Sequence, residues 1–203
     1  VQVGLGGAPV PVSLGDVRLT FGGELEIPGR VEFIHPLHNL AVVSYDPKLI
    51  GTTPVRSANF SQTPLREGDN VTAIGMNGDG ELRSRNTSVV AVEPLDLPLS
   101  RTMQFRDSNL ESVELLNPPN EFDGVLVDKD GKVQSMWSSF PMETARETLQ
   151  GNRGVAIDLV VEMLDHVRRG APFHTLDVEL NPRSLTEAGR LGLPEAWLRK
   201  IEA

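Results

Sequence analysis

Short apolar runs separated by turn residues fill the first three quarters of the chain, and this periodicity constrains the fold more than any other feature. VRLTF (17–21) and RVEFI (30–34) alternate apolar and polar residues, the period of a strand with one buried face. LAVVSY (40–45) is a more continuous apolar run, as a buried strand requires, and VTAIGM (71–76), RNTSVVAVE (85–93) and VELL (113–116) follow. GVLVD (124–128) and KVQSMW (132–137) flank Lys129-Asp130-Gly131, where Asp-Gly predicts a hairpin. The 19 glycines and 15 prolines supply turn chemistry at each junction. Regularly spaced short strands of this kind predict an all-β barrel or sandwich. Residues 1–15, rich in Gly and Pro, are expected to enter the fold as irregular backbone.

The last quarter changes period. In residues 157–170, apolar Leu159, Val160, Met163, Leu164 and Val167 fall at helical spacing and end in two arginines and a glycine. LDVEL (176–180) predicts one more short strand. A second helical pattern follows Asn181-Pro182, with Ser184 and Glu187 spaced as a capping box, and Pro194 opens a third. Trp197, Leu198 and Ile201 are expected to pack that last helix onto a neighbour. There is no internal repeat, low-complexity tract or heptad series.

A chain of 203 residues is one domain or two small ones, long enough for a hydrophobic core without staples. The formal net charge of −9 repels phosphate backbones and disfavours nucleic acid and anionic membrane surfaces as partners. With no cysteine, thiol chemistry, disulfides and Cys-based zinc sites are excluded. No apolar run approaches the roughly 18 residues of a spanning helix. The abrupt start at Val1 and the helical end near Ala203 read as a segment of a larger protein.

Few residues announce chemistry. His35 and His38 have an H-x-x-H spacing, but Pro36 opposes a helix and His166 and His174 are far away in sequence, so loop histidines are expected and no metal. Asp128-Lys129-Asp130-Gly131 opens like a calcium loop but lacks a third oxygen ligand and the closing Glu, so a turn is expected. GLGG (4–7) and GMNGDG (75–80) fit no phosphate-binding pattern and are expected to be turns. Asn59-Phe60-Ser61 and Asn86-Thr87-Ser88 match the weak glycosylation pattern. No serine lies in G-x-S-x-G or G-x-S-G-G, so none is marked as an activated nucleophile. No cofactor is expected.

HPLHNLAVVSYDP (35–47) followed by LREGDNVTAIGMNGDG (65–80) resembles the first barrel of HtrA/Deg-type serine proteases. NEFDGVLVDKDGKVQSMW (120–137) resembles the second-barrel segment that carries the nucleophile in those proteins. GVAIDLVVEMLDHVRRG (154–170) resembles their closing strand and helix. The match is closer still to the degenerate second protease repeat of large HtrA-like proteins of the fungal nuclear type and their bacterial relatives, through VPVSLGDVRLTF, LEIPGRVEFIHPLHNLAVVSYDPKLI, MWSSF and LGLPEAWLRKIE. The resemblance covers about residues 10–203.

It implies a trypsin/chymotrypsin-like double β-barrel whose N-terminal strands are incomplete. A partial first barrel is expected over 1–82 and a second over 83–174, with the closing helix at 157–169. Residues 175–203 are expected to be the lead-in of a following PDZ-like domain. Carried across one by one, the catalytic acid falls on Asn39, the nucleophile on Phe122, the oxyanion-loop glycine on Asn120, and the histidine near Pro9. An amide in the acid position costs about four orders of magnitude in the serine-protease template, and phenylalanine has no nucleophilic atom.

The expectation is a pseudoprotease with a regulatory, substrate-holding or assembly role. Two alternatives stay open: a serine endopeptidase using a displaced serine such as Ser135 or Ser139, and a structural spacer between PDZ domains. Phe122 and Trp137 are expected to fill or line the former substrate cleft, or to be ordinary core aromatics. Expected partners are polypeptides, neighbouring domains of the parent protein, or a second copy of the chain. The composition leans bacterial, for which the resemblance implies a cell-envelope protein, with nucleus or cytoplasm if the source is eukaryotic.

Overall fold

A computed structural model describes residues 2–5, 8–11, 15–22, 24–35, 38, 40–95, 109–143, 148–174, 176, 178, 180 and 182–202. The N-terminal part consists of three antiparallel two-stranded ribbons. The first pairs β1 (Gln2–Leu5) with β2 (Ala8–Pro11). Irregular backbone was the expectation here. A lone ribbon accepts Pro9 and Pro11 because every strand in it has an open edge, where a missing N–H breaks no ladder. β3 (Arg18–Phe21) pairs with β4 (Leu25–Pro28), and β5 (Arg30–Ile34) with β6 (Ala41–Ser44). A 3-10 turn at Pro47–Ile50 follows, capped by the Asp46 carboxylate, which accepts from the Lys48 amide at 2.9 Å.

The rest is dominated by a closed six-stranded antiparallel barrel. Its strands are β7 (Asn70–Asn77), β8 (Leu82–Pro94), β9 (Glu111–Leu115), β10 (Phe122–Val127), β11 (Val133–Glu143) and β12 (Thr148–Ala156). Around the barrel the order is β7-β8-β9-β12-β11-β10 and back to β7. Two meanders of three strands thus close on each other, β12 against β9 and β10 against β7. Closure removes the exposed edges that an open sheet would offer for aggregation. The boundary drawn at 82/83 cuts the β7–β8 hairpin, whose strands pair from Asn70↔Ser88 to Met76↔Leu82. The barrel therefore begins at β7, because that strand also supplies the edge on which β10 closes it.

Alternation on β7 places Val71 and Ala73 inside, with Leu65, Val89, Val113, Leu115, Phe122, Leu126 and Trp137 completing the main core. The Asp-Gly turn forms as expected: Gly131 has φ +74°, and the Asp128 carboxylate accepts from the amides of Asp130 and Lys132, both at 2.9 Å. That carboxylate is engaged by its own turn. GMNGDG is only partly a turn, since Gly75, Met76 and Asn77 belong to β7.

Helix α1 (Ile157–Arg169) leaves the end of β12 directly, buries Ile157 and Met163, and stops at Gly170 with φ +60°. α2 (Leu185–Arg190) is capped by Ser184, whose hydroxyl accepts from the Glu187 amide at 3.2 Å, and α3 (Glu195–Glu202) follows Pro194. Leu176, Val178 and Leu180 are exposed and lie outside any regular strand. Asn109 holds this stretch instead: its side-chain amide donates to the Val178 carbonyl at 2.9 Å and accepts from the Leu180 amide at 2.7 Å. Trp197 and Ile201 are more than half exposed, while Leu198 is half-buried, so only part of the apolar face of α3 is covered. Among the described residues, no helix is long and apolar enough to cross a membrane.

Candidate functional site at the head of β10

The residues expected at the former nucleophile lie where the 116–121 loop turns into β10. Asn117 has φ +51°, Pro119 is buried, and Asn120 and Glu121 are exposed. Glu121 pairs with Arg85 of β8 at 2.6 Å, which ties the loop to the outside of the barrel.

Phe122 then turns inward and is 4% exposed. Its backbone pairs with Asn77, and two positions along β10 two glycines face each other, Gly124↔Gly75. A β-carbon on Gly75 would lie 2.1 Å from the Asp123 carbonyl oxygen and 2.6 Å from Cδ2 of Phe122. A β-carbon on Gly124 would lie 2.0 Å from the Ile74 carbonyl oxygen. The two glycines let β7 and β10 approach closely, and the Phe122 ring occupies the space over Gly75 that a side chain would need.

Trp137 is 1% exposed. It pairs across the sheet with Gly124 on one side and Gly154 on the other. Its indole N–H donates to the Pro119 carbonyl at 3.0 Å. That bond satisfies the single polar atom of a buried tryptophan and fixes the loop leading to Phe122. Both aromatics are barrel core, so neither offers a docking face. Beside them Asn152, also buried, reaches the Asp123 carboxylate at 3.5 Å.

The serines named as displaced nucleophiles differ. Ser135 is 0% exposed, with its hydroxyl 2.9 Å from the Val155 carbonyl and 3.0 Å from that of Met136. It is a donor consumed by the backbone. Ser139 is half-buried opposite Asn152. Of the other positions the resemblance assigns, Pro9 lies on β2 opposite Gly4, and Asn39 lies outside the described residues.

His35 and His38 lie outside helix and strand, as expected of loop histidines, but both are buried. Their rings stack 4.4 Å apart at 23°, and the His38 amide donates to Nδ1 of His35 at 3.0 Å. Burial, then the neighbouring His38, pushes His35 down to about 4 against a small opposing effect of Glu162, and burial also lowers His38. Among the described residues, no three His, Asp or Glu side chains are grouped to hold a metal ion. The Gly75–Gly124 pair and the histidine stack were not anticipated from sequence. A glycine inside an apolar strand run was the available signal for the first.

A closed six-strand barrel followed directly by a helix, and preceded by short ribbons, accords with one barrel of a trypsin-like fold. No protein-family profile matches the chain. It is 34% identical over 199 residues to the PDZ domain-containing protein C23G3.12c of Schizosaccharomyces pombe, covering 95% of this chain and 20% of the relative. It is 30% identical over 219 residues to Protease Do-like 7 of Arabidopsis thaliana, again 95% of this chain and 20% of the relative. It is 28% identical over 202 residues to the pro-apoptotic serine protease NMA111 of Saccharomyces cerevisiae, with the same coverages of 95% and 20%. The chain thus spans about one fifth of the length of these relatives. Among solved structures, the active form of the Rv3671c protease from M. tuberculosis superposes with a TM-score of 0.55 at 15% identity, covering 80% of this chain and 66% of that one. The HtrA-type protease AlgW with a tripeptide gives 0.53 at 21% identity, covering 83% and 53%. These two likenesses concern the fold. Over 95% of its length the chain is therefore similar to about a fifth of longer HtrA/Deg-like proteins, and its fold is of the trypsin type.

Proposed function

We propose that this chain is a catalytically inactive protease-like domain of a longer HtrA-like protein, serving as a regulatory, substrate-holding or assembly module. The observation that carries the reading is Phe122. On the family pattern it stands at the nucleophile, and its ring is packed into the barrel core over Gly75. A residue in that state supplies no attacking atom and leaves no open pocket at that point for a substrate side chain. Asn120 at the oxyanion-loop glycine, Asn39 at the acid and Pro9 near the histidine lie on the same reading. The likeness to the second, degenerate repeat of large HtrA-like proteins accords with a chain matching one fifth of each relative's length. On this reading residues 175–203 lead toward a PDZ-like neighbour, and the partners are adjoining domains, polypeptides or a second copy.

A digestion assay tests it. The purified chain, incubated with unfolded casein beside an active trypsin-fold protease, is expected to release no peptide above the buffer control. Cleavage that co-purifies with the chain and disappears in a serine-to-alanine variant overturns the proposal.

A further inference from the structure

We infer that the stacked His35–His38 pair, packed against Phe173 beyond the end of α1, is an acid-sensitive latch that holds the β5–β6 ribbon to the closing helix and opens when the pair takes up a proton.

His35 is 1% exposed and His38 6%. The His38 ring lies over that of His35 at 4.4 Å, and Phe173 meets His35 edge-on at 4.7 Å. Phe173 also contacts His166 of α1 at 5.2 Å and Phe33 of β5 at 6.0 Å, so one phenylalanine joins ribbon and helix. Nδ1 of His35 accepts the His38 amide at 3.0 Å. The neutral ring therefore carries its hydrogen on Nε2, and Nδ1 is the atom that a second proton must take. Protonation there replaces an acceptor by a donor facing a donor, and places a cation in an aromatic, buried cluster beside a second imidazole. Among the described residues, Phe33 and Phe173 contact the His35 ring, Glu162 of α1 acts on it electrostatically, and His166 of α1 touches Phe173. Glu162 favours the cation, yet burial and His38 outweigh it and hold His35 at about 4, below its ordinary 6.5.

The same hydrogen bond shows how the latch is set. His35 also closes the ribbon end, its amide donating to the Leu40 carbonyl at 2.9 Å, while the Leu40 amide donates to the His38 carbonyl at 2.8 Å. Loss of the His35 ring contacts is therefore coupled to the join between β5 and β6.

Hydrogen exchange on the whole chain, read by mass spectrometry at pH 7.0 and 4.5 and corrected for intrinsic rates, tests the latch. Protection of residues 30–44 and 166–173 is expected to fall by about ten- to a hundredfold at the lower pH, while β7 and β8 change by less than about twofold. His35→Gln keeps an acceptor and does not titrate, so it is expected to keep most of its ribbon protection at pH 4.5. Three results overturn the latch: a wild-type ribbon still protected at pH 4.5, ribbon and barrel losing protection together, or His35→Gln opening as the wild type does. If His35→Gln fails to fold, the wild-type contrast between ribbon and barrel decides alone.

Discussion

The Phe122 ring lies across the backbone of Gly75, so close that a β-carbon on that glycine would come within 2.6 Å of the ring and 2.1 Å of the Asp123 carbonyl oxygen. The backbone contact cannot yield as a flexible side-chain tip would. Gly75→Ala is therefore expected to destabilise the barrel by about 1–3 kcal/mol or more, read as a lower midpoint in urea unfolding. An unchanged midpoint would mean that β7 and β10 are further apart than described.

Phe122 is core, and its removal should behave accordingly. Phe122→Ala is expected to cost about 3–5 kcal/mol through lost burial and the cavity left behind. On the proposed register, Phe122→Ser places a hydroxyl at the nucleophile position and is expected to lose comparable stability while gaining no peptidase activity, because Asn39 and Pro9 would stand at the acid and base positions. Measurable turnover by Phe122→Ser would show that a working base lies beside β10.

Trp137 couples the core to the loop before β10 through Pro119. Trp137→Phe keeps much of the apolar volume, loses that bond and leaves a buried carbonyl unpaired. Destabilisation of about 1–3 kcal/mol is expected, together with faster hydrogen exchange at Asn120 and Glu121. Stability loss without a change in the loop would separate packing from anchoring.

The histidine pair also predicts how stability depends on pH. His35 is held at about 4 in the fold and has an ordinary value of 6.5. Its neutral state is the favoured one, so its contribution is complete above about 6.5 and is lost as pH falls toward 4. Thermal midpoints between pH 7 and 4.5 are expected to drop more for the wild type than for His35→Gln. Glu32, lowered by its bonds to Ser44 and Arg30, stabilises the fold above the ordinary carboxylate range and loses that contribution only at more acidic pH, so it adds little pH dependence in this interval.

Asn109 sits at φ +60°, a conformation glycine adopts freely. Asn109→Gly removes both bonds to Val178 and Leu180 without backbone strain. Tryptic cleavage at Arg183 is expected to accelerate several-fold, with global stability changed by less than about 1 kcal/mol. Unchanged cleavage would assign the seating of 176–180 to other contacts.

Much of the architecture was legible because strand and helix periods differ. The runs 71–76, 85–93 and 132–137 became β7, β8 and β11, and 157–169 became α1. The hidden parts lack that signal. β12 contains Gln150, Gly151, Asn152, Arg153 and Gly154, polar or small residues that pair as a strand because β11 runs beside all of them and β9 joins on the other side at Gly154. β2 carries two prolines that a propensity reading rejects. In the LDVEL stretch alternation predicted a strand, whereas its described residues lie outside regular structure and Asn109 bonds Val178 and Leu180. At the candidate site, the aromatic identities of Phe122 and Trp137 were visible. Whether they line a cleft or fill the core was not, since that depends on a glycine pair brought together by a closure between β7 and β10. The histidine stack likewise arises from Phe173, more than 130 positions beyond His38.

The central claim, that this protease fold holds no nucleophile, is tested most directly by fluorophosphonate labelling of the purified chain, read as intact mass beside an active trypsin-fold serine protease. The account predicts full labelling of the control and an unshifted mass for this chain. A stoichiometric adduct mapped to one serine would contradict it, and would mean that the barrel retains an activated hydroxyl away from Phe122.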